Sequence, residues 1–293
     1  MNKCVAIIDI GTNSIKLLVA NRQGVLLNAI RGVRIGEGIG EKKFTIKKDV
    51  IKRNINAIKE LLSEAEPFKP NVTLITGTSA LRDAENAQEF RQELKLATGV
   101  DLRILSGEEE ATIISKGIVT DPQVKALEEF SLFDLGGGSL ECMHYKHKRL
   151  MFADSFPLGM VRLTEKYITN PTGKINPEEL VHIKILIEEE LTHFPIKDIP
   201  LVGTGGGLSS AKNILKTGNI LKIDDLEDLL VKLANITAQE RIKLYDIPQF
   251  RADIMPTALI IIITLAKKAN CKEIIYSSFN LRFGLAQEIF QSK

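Results

Sequence analysis

The sequence has no tryptophan, only three cysteines and almost no net charge, and these shortages exclude several classes of protein. A net charge of +2 over 293 residues excludes a general attraction to nucleic acid or to an anionic membrane. Any anion binding therefore has to be local. Cys4, Cys142 and Cys271 are widely spaced and form no CxxC pair. This spacing argues against a zinc site and a disulfide framework, and it predicts reduced thiols in a cytoplasmic protein.

Long hydrophobic runs are also missing. The most apolar stretch, residues 258–266, is far too short to cross a bilayer. The chain opens on a strand-like run instead of a charged region followed by a long apolar one, which predicts no signal peptide. Hydrophobic residues make up 44% and charged residues 26% of the chain, as is typical of soluble α/β proteins, and the length favours two domains.

One glycine-rich turn stands out in residues 130–141. An apolar run ends at Asp134, three glycines follow at 136–138, and Ser139 and Glu141 close the segment. Glycines let backbone N–H groups crowd around an anion, and the two carboxylates would supply oxygen ligands to a hard cation. A glycine-rich hairpin without any ligand explains this stretch alone equally well.

The same pattern occurs earlier in the chain. Residues 9–14 and 134–139 share the order Asp, aliphatic residue, Gly, two variable residues, Ser, and each follows an apolar run. A repeat at this long spacing suggests duplicated halves that face each other. Two such turns across a cleft would hold a phosphate chain from both sides.

Three further segments are candidates for the same cleft. A third glycine-rich loop, residues 203–210, lies at a strand-to-helix junction, where backbone amides favour phosphate or the polar parts of a nucleotide. Arg82 follows a strand end, in the connection to a helix predicted to begin near Ala84, and its guanidinium is suited to phosphate. Glu108, Glu109 and Glu110 open a helix, where the helix dipole explains two of them and the third would face the cleft as a base. Periodicity does not choose among the three.

The segment at residues 31–40 has four glycines, which predict a flexible loop. Its two arginines, Arg31 and Arg34, are within reach of an anion in principle. We interpret the segment as a solvated loop instead.

Taken together, these segments resemble the exopolyphosphatase and guanosine pentaphosphate phosphohydrolase (Ppx/GppA) family, which belongs to the superfamily of actin, hexokinase and the heat-shock chaperone ATPases. The resemblance covers essentially the whole chain. It rests on residues 8–14, 34–38, 78–84, 106–111, 133–141, 158–165 and 251–254. It implies a short form without the carboxy-terminal HD-like helical domain of many members, and Phe283 stands where the family usually has Glu.

The resemblance implies two ribonuclease-H-like α/β domains flanking a cleft, at residues 1–121 and 122–293, with the terminal helix near 281–293 packed back onto the first domain. It assigns the catalytic base to Glu110, a phosphate contact to Arg82, and Mg²⁺ to Asp9, Asp134 and Glu141. The phosphate-binding residues expected from the turns and the resemblance are Gly11, Thr12, Asn13, Ser14, Gly136, Gly137, Gly138, Ser139, Gly205 and Gly206.

The expected activity is metal-assisted hydrolysis of the terminal phosphate of inorganic polyphosphate. Removal of the 5′ phosphate from guanosine pentaphosphate is the alternative within the family. A protein that binds polyphosphate or the nucleotide without cleaving it is a further alternative, whereas a sugar kinase would need an acceptor site that the sequence does not show. The expected partner is one of these substrates, with no nucleic acid and no membrane, and the resemblance implies a homodimer.

Overall fold

The computed structural model describes residues 3–147, 149–192, 194 and 198–291. This part of the chain forms two α/β halves, each built on one twisted sheet. No helix in the described part combines the length and the hydrophobicity that crossing a bilayer requires.

The amino-terminal half contains a five-stranded sheet in the order β3-β2-β1-β4-β5. Its strands are β1 (Val5–Ile10), β2 (Ile15–Asn21), β3 (Gly24–Arg31), β4 (Val72–Gly77) and β5 (Leu102–Ile104). Its helices are α1 (Lys48–Ala65), α2 (Ser79–Asp83), α3 (Ala87–Thr98) and α4 (Gly107–Ile118). Strand β1 is an unbroken apolar run except at Asp9, and it is buried along its whole length, as a central strand covered on both faces should be.

The carboxy-terminal half contains a six-stranded sheet in the order β10-β11-β9-β6-β7-β8. Its strands are β6 (Glu129–Leu135), β7 (Leu140–Lys146), β8 (Arg149–Phe156), β9 (Leu201–Gly205), β10 (Ile220–Lys222) and β11 (Glu273–Tyr276). The helices after β8 are α5 (Met160–Tyr167), α6 (Pro177–Glu190), α7 (Gly206–Leu215), α8 (Ile223–Ala234), α9 (Ala238–Tyr245), α10 (Met255–Lys268) and α11 (Leu281–Gln291).

The two sheets repeat one topology. In each, three consecutive strands form an antiparallel meander, and the first strand of the meander pairs in parallel with a later strand, β4 or β9. This arrangement is that of two ribonuclease-H-like domains, as the sequence predicts. Because the first and fourth strands are parallel neighbours, their carboxyl ends and the turns that follow meet at one edge of each sheet.

Helix α11 follows the second sheet in the chain but packs against α4 and β1 of the first half. Arg282 of α11 donates to Leu17 O at 2.9 Å, and Lys3 Nζ donates to Ile289 O at 2.9 Å. We therefore keep the division near residue 121, with α11 assigned to the first domain, as our proposal. The last two residues of the predicted 281–293 segment lie outside the described residues.

Three local predictions are wrong. Arg82 lies inside the short helix α2, and the next helix begins at Ala87 instead of near Ala84. The stretch 203–210 is the predicted strand-to-helix junction but not a loop, because β9 continues through Gly205 and α7 begins at Gly206. The segment 34–40 is not a solvated loop: Ile35 is fully buried, and the segment bonds to the second domain. Local composition favoured loops at these places, but helix and sheet hydrogen bonds satisfy the backbone at the first two, and tertiary contacts do so at the third.

Candidate active site

The two predicted turns are hairpin loops of the same geometry. Gly11 N–H donates to Ser14 O at 3.1 Å, and Gly136 N–H donates to Ser139 O at 3.0 Å. Residues 10 and 15 pair across the first hairpin, and residues 135 and 140 pair across the second. The N–H groups of Thr12, Asn13, Gly137 and Gly138 donate no hydrogen bond to any other described residue. Each turn therefore has donors left over for an anion.

The two turns lie against each other across the interdomain cleft. A Cβ atom at Gly137 would lie 2.9 Å from Thr12 Cβ, and one at Gly138 would lie 2.6 Å from Thr12 Oγ1. Glycine is needed at both positions because any side chain there would push the turns apart. Residues 11–14 and 136–139 all line one cleft, as do Asp9, Asp134, Glu141 and Glu110.

The duplicated hairpins differ in the charge beside each aspartate. Asp9 pairs across the first hairpin with Lys16, whereas Asp134 pairs across the second with Glu141. Lys16 Nζ lies 4.0 Å from Asp9 Oδ2. Glu141 is 1% exposed and accepts a hydrogen bond from Ser155 Oγ at 2.8 Å. One side of the cleft is thus suited to phosphate oxygens and the other to a cation or a water molecule.

The structure resolves which of the three glutamates faces the cleft. Ser106 caps α4 and accepts from Glu109 N–H, while the Glu109 side chain accepts from Ser106 N–H. This capping box occupies Glu109, and Glu108 is exposed. Glu110 is 6% exposed and lines the cleft. Its Oε2 accepts a hydrogen bond from Arg82 Nη1 at 3.1 Å.

Burial of several carboxyl groups in one place shifts their proton affinities. Burial raises the pKa of Asp134 to about 6, and burial together with the charge of Asp134 raises the pKa of Glu141 to about 7. The pKa of Glu110 lies well above its usual range, because of burial first and the Glu141 charge second, although Arg82 opposes the shift. Such shifts are typical of functional sites and of carboxylates that await a cation.

The acidic residues fit Mg²⁺ as ligands that act together with phosphate oxygens. Asp9 Oδ1 is buried and has no hydrogen-bond partner among the described residues, so this oxygen is available to bind a cation. No group of three or more acidic, histidine or cysteine ligands in the described chain is arranged to hold a metal ion by itself. Mg²⁺ in phosphoryl-transfer sites commonly takes one or two carboxylates and the substrate phosphates, which suits this arrangement.

Two of the predicted site residues lie beside the cleft instead of in its lining. Arg82 lies behind Glu110, where its Nη1 also donates to Leu105 O at 2.9 Å, and it lines a neighbouring pocket with Arg162. Gly205 has a φ of +109° and supports Asp134, since a Cβ there would lie 3.0 Å from Asp134 Oδ1. Gly206 does line the cleft, at the first residue of α7.

Sequence reasoning missed a group of cations where the cleft meets an adjoining pocket. Lys16 and Arg251 line both the cleft and an adjoining pocket, whose described walls also hold Arg282 and carry no Asp or Glu. Arg251 Nη1 donates to Ser210 Oγ at 3.1 Å. Arg282 is 5% exposed, and its Nε has no partner among the described residues. The motif at residues 251–254 could have identified Arg251 as a site residue. No local sequence pattern identifies Lys16 or Arg282 in this way.

Comparison of the sequence with known proteins shows similarity to phosphatases. The family model described as the Ppx/GppA phosphatase family matches residues 17–293. A bifunctional 3-dehydroquinate synthase/phosphatase of Fusobacterium nucleatum is 26% identical over 251 residues, covering 80% of this chain and 37% of that protein. A guanosine-5′-triphosphate,3′-diphosphate pyrophosphatase of Aeromonas salmonicida is 22% identical over 293 residues, covering 96% of this chain and 58% of that protein.

The fold is also that of a solved structure. A crystal structure of an exopolyphosphatase from Cytophaga hutchinsonii superposes with a TM-score of 0.85 at 22% identity, covering 98% of this chain and 97% of that one. The present chain therefore matches that structure along nearly its full length, while it spans about a third to three fifths of the two curated relatives above.

Proposed function

Because this chain belongs to the Ppx/GppA phosphatase family, we propose that it hydrolyses the terminal phosphoanhydride bond of inorganic polyphosphate. One observation carries the proposal: two turns of the same geometry from separate domains face each other across a cleft that also holds the buried carboxyl group of Glu110. Phosphoryl transfer requires positioning and charge neutralisation more than covalent chemistry by the protein. The unbonded N–H groups of the two turns meet the first requirement.

In the proposed reaction, Glu110 orients a water molecule and accepts its proton. The water oxygen bonds to the terminal phosphorus, the bridging P–O bond breaks, and the shortened chain leaves with the bridging oxygen. Glu110 is suited to this role because it is buried next to the turns and Arg82 fixes one of its oxygens. Arg82 also favours the charged form of Glu110. Only this ionised carboxylate can accept a proton.

We propose that Asp9, Asp134 and Glu141 hold Mg²⁺ together with phosphate oxygens. When bound, Mg²⁺ would neutralise negative charge on the phosphate chain and favour the ionised forms of Asp134 and Glu141. Close to Asp9, where the cleft meets the adjoining pocket, the side chains of Lys16, Arg251 and Arg282 would neutralise the phosphates that follow the scissile bond.

Guanosine pentaphosphate is the second candidate substrate. The acid-free pocket beside the cleft is lined by Tyr276 and Phe250 as well as by its cations. Aromatic rings next to cations can bind the guanine ring and the phosphates of a nucleotide. Inorganic polyphosphate has no ring that could stack on them. The relative from Aeromonas salmonicida, whose name gives that nucleotide as its substrate, supports the same choice.

Phosphate release separates the proposals. The purified protein with Mg²⁺ is given long-chain polyphosphate, short-chain polyphosphate or guanosine pentaphosphate in separate assays, and inorganic phosphate is measured. We expect the highest kcat/KM with polyphosphate, and a preference for the nucleotide would establish the second candidate instead. Binding of either ligand without phosphate release would show a sensor and contradict both. A homodimer remains a prediction that sedimentation of the same sample tests.

A further inference from the structure

Arg34 connects the first phosphate-binding turn to the second domain. Its Nε donates to Asn13 Oδ1 at 2.8 Å, while its Nη1 and Nη2 donate to the two carboxylate oxygens of Asp253 at 2.6 and 2.8 Å. Its Nη2 also donates to Phe250 O at 3.0 Å. A bidentate salt bridge of this kind fixes both the distance and the orientation of the guanidinium and carboxylate groups. The Arg34 and Asp253 side chains are only 20% and 18% exposed, so water screens the pair weakly.

Asn13 is held between the same partners. Its Oδ1 accepts from Arg34, and its Nδ2 donates to Phe250 O at 2.9 Å, so both halves of its amide bind protein. The sequence predicts that Asn13 binds phosphate, but its side chain is committed to the contact between domains. Only its backbone N–H remains for an anion.

The backbone conformation at Arg34 is unusual and is stabilised by contacts around it. Arg34 has a φ of +33°, in the left-handed region that a non-glycine residue rarely adopts, and its N–H donates to Asn13 O at 3.2 Å. Such a conformation persists only where surrounding contacts determine it. Two further contacts anchor the same segment to the second domain, since Glu165 accepts from Gly38 N–H at 3.1 Å and Arg162 donates to Ile39 O at 3.2 Å.

The two turns are in contact, since atoms of Thr12 occupy the space beside Gly137 and Gly138. We infer that the domains separate to admit a phosphate chain between the turns and close again around it. The affinity for substrate then depends on the fraction of molecules that can adopt the closed arrangement. A contact that joins a turn directly to the opposite domain controls that fraction.

We propose that Arg34 is a positioning residue that, through Asp253 and Asn13, sets the closed arrangement of the two phosphate-binding turns. Arg34 does not itself line the cleft. The effect of Arg34 on kinetics rests on the proposed phosphoanhydride hydrolysis. Its effect on the separation of the domains does not depend on any activity.

Kinetics test the proposal through a double-mutant cycle. We expect Arg34→Ala and Asp253→Ala each to raise KM for polyphosphate about tenfold while kcat falls less, because saturating substrate restores closure. The double variant should be no worse than the more severe single one. Arg31→Ala is the matched control, since the ion pairs of Arg31 with described residues are to Glu60 and Glu64 of its own domain. A roughly hundredfold rise in the double variant would show independent roles and overturn the proposal.

Domain separation is measured without any substrate. Spin labels at Leu96→Cys in α3 and Val231→Cys in α8, two exposed positions on different domains, report the distance between the halves. Cys271, the cysteine that is only half-buried, is replaced by Ser. We expect Arg34→Ala to lengthen or broaden the distance distribution and Arg31→Ala to leave it unchanged. If Arg34→Ala also leaves it unchanged, the proposal fails. If the distance shifts but no substrate is cleaved, the proposed function fails and the positioning role stands.

Discussion

Glu110 carries the sharpest prediction at the scale of single residues. It is the one member of the glutamate trio that is buried and lines the cleft, while its neighbours are exposed. Replacement by Gln keeps its shape and removes its basicity. We expect Glu110→Gln to lower kcat at least about a hundredfold while polyphosphate still binds, the size typical of a lost general base. Phosphate release and equilibrium binding measure the two effects.

Glu108→Gln is the control for that variant, because Glu108 lies two residues away in the same helix, is exposed and does not line the cleft. It should retain full activity. A Glu110→Gln protein that turns over at the normal rate would remove Glu110 from the mechanism.

Arg82 should act on the pH profile through its partner. Because Arg82 lowers the pKa of Glu110 against the effect of burial, its removal raises that pKa further. We expect Arg82→Gln to move the acidic limb of the kcat profile to higher pH. An increase in KM as well would support the predicted contact with phosphate, and an unchanged acidic limb would contradict coupling to Glu110.

Asp134 and Glu141 should make the metal-free protein less stable as the pH rises. Their folded-state pKa values, about 6 and about 7, are raised, so the folded protein holds protons that the unfolded chain releases at lower pH. This contribution is complete below about pH 4 and is lost as the pH rises through about 6 to 7.

Denaturant unfolding at several pH values measures the effect. Relative to the unsubstituted protein, Glu141→Gln should gain about 2 to 3 kcal/mol of unfolding free energy between about pH 5 and about pH 8, since one pKa unit corresponds to about 1.4 kcal/mol. Parallel pH curves for the two proteins would contradict the shift. Added Mg²⁺ should favour the ionised carboxyl groups and reduce the pH dependence of the unsubstituted protein.

At the scale of elements, the crossing of α4 and α11 determines where Glu110 lies. The helices meet at Gly117 and Gly284, and a Cβ atom at Gly284 would lie 1.8 Å from Ile113 O. No rotation of a side chain relieves a clash with a backbone oxygen. Since α4 carries Glu110 at its first turn, any separation of the helices also displaces the base.

We therefore expect Gly284→Ala to destabilise the protein by about 1 to 3 kcal/mol, the usual range for overpacking, and to lower kcat. Thermal unfolding and phosphate release measure these effects. Gly218→Ala is the same substitution where no atom lies within 4 Å of the new Cβ, and it should be neutral. Equal effects of the two substitutions would contradict the account of the crossing.

At the scale of the whole molecule, α11 makes the first domain depend on the end of the chain. Buried Arg282 bonds to Leu17 O and to Asn28 Oδ1, and Lys116 pairs with Glu288. We expect a chain that ends at Asn280 to lose amide protection in β1 and α4 first, because their buried face is then exposed to water. Hydrogen exchange measures this, and equal loss in both domains would contradict the assignment of α11 to the first.

The repeated turns were predictable because their pattern is local. An apolar strand, an aspartate and a glycine turn fix a hairpin within about ten residues, so Asp9–Ser14 and Asp134–Ser139 could be identified as equivalent before any fold was known. The capping box of α4 is also local, and it leaves Glu110 as a core-facing residue of the first turn. By contrast, the bond between Arg34 and Asp253 joins residues 219 positions apart, and composition alone made the segment around Arg34 look like a solvated loop.

The sequence by itself determined the two matching hairpins and the motifs that carry the resemblance to a phosphatase family, because each is formed by residues close together in the chain. Only the tertiary structure decided that Thr12 faces Gly137, that Arg82 lies behind Glu110, and that Asn13 serves the contact between domains. The reason is physical: short-range order follows from backbone and side-chain preferences, whereas the partner of a charge or an amide depends on which distant segment packing brings within about 3 Å of it.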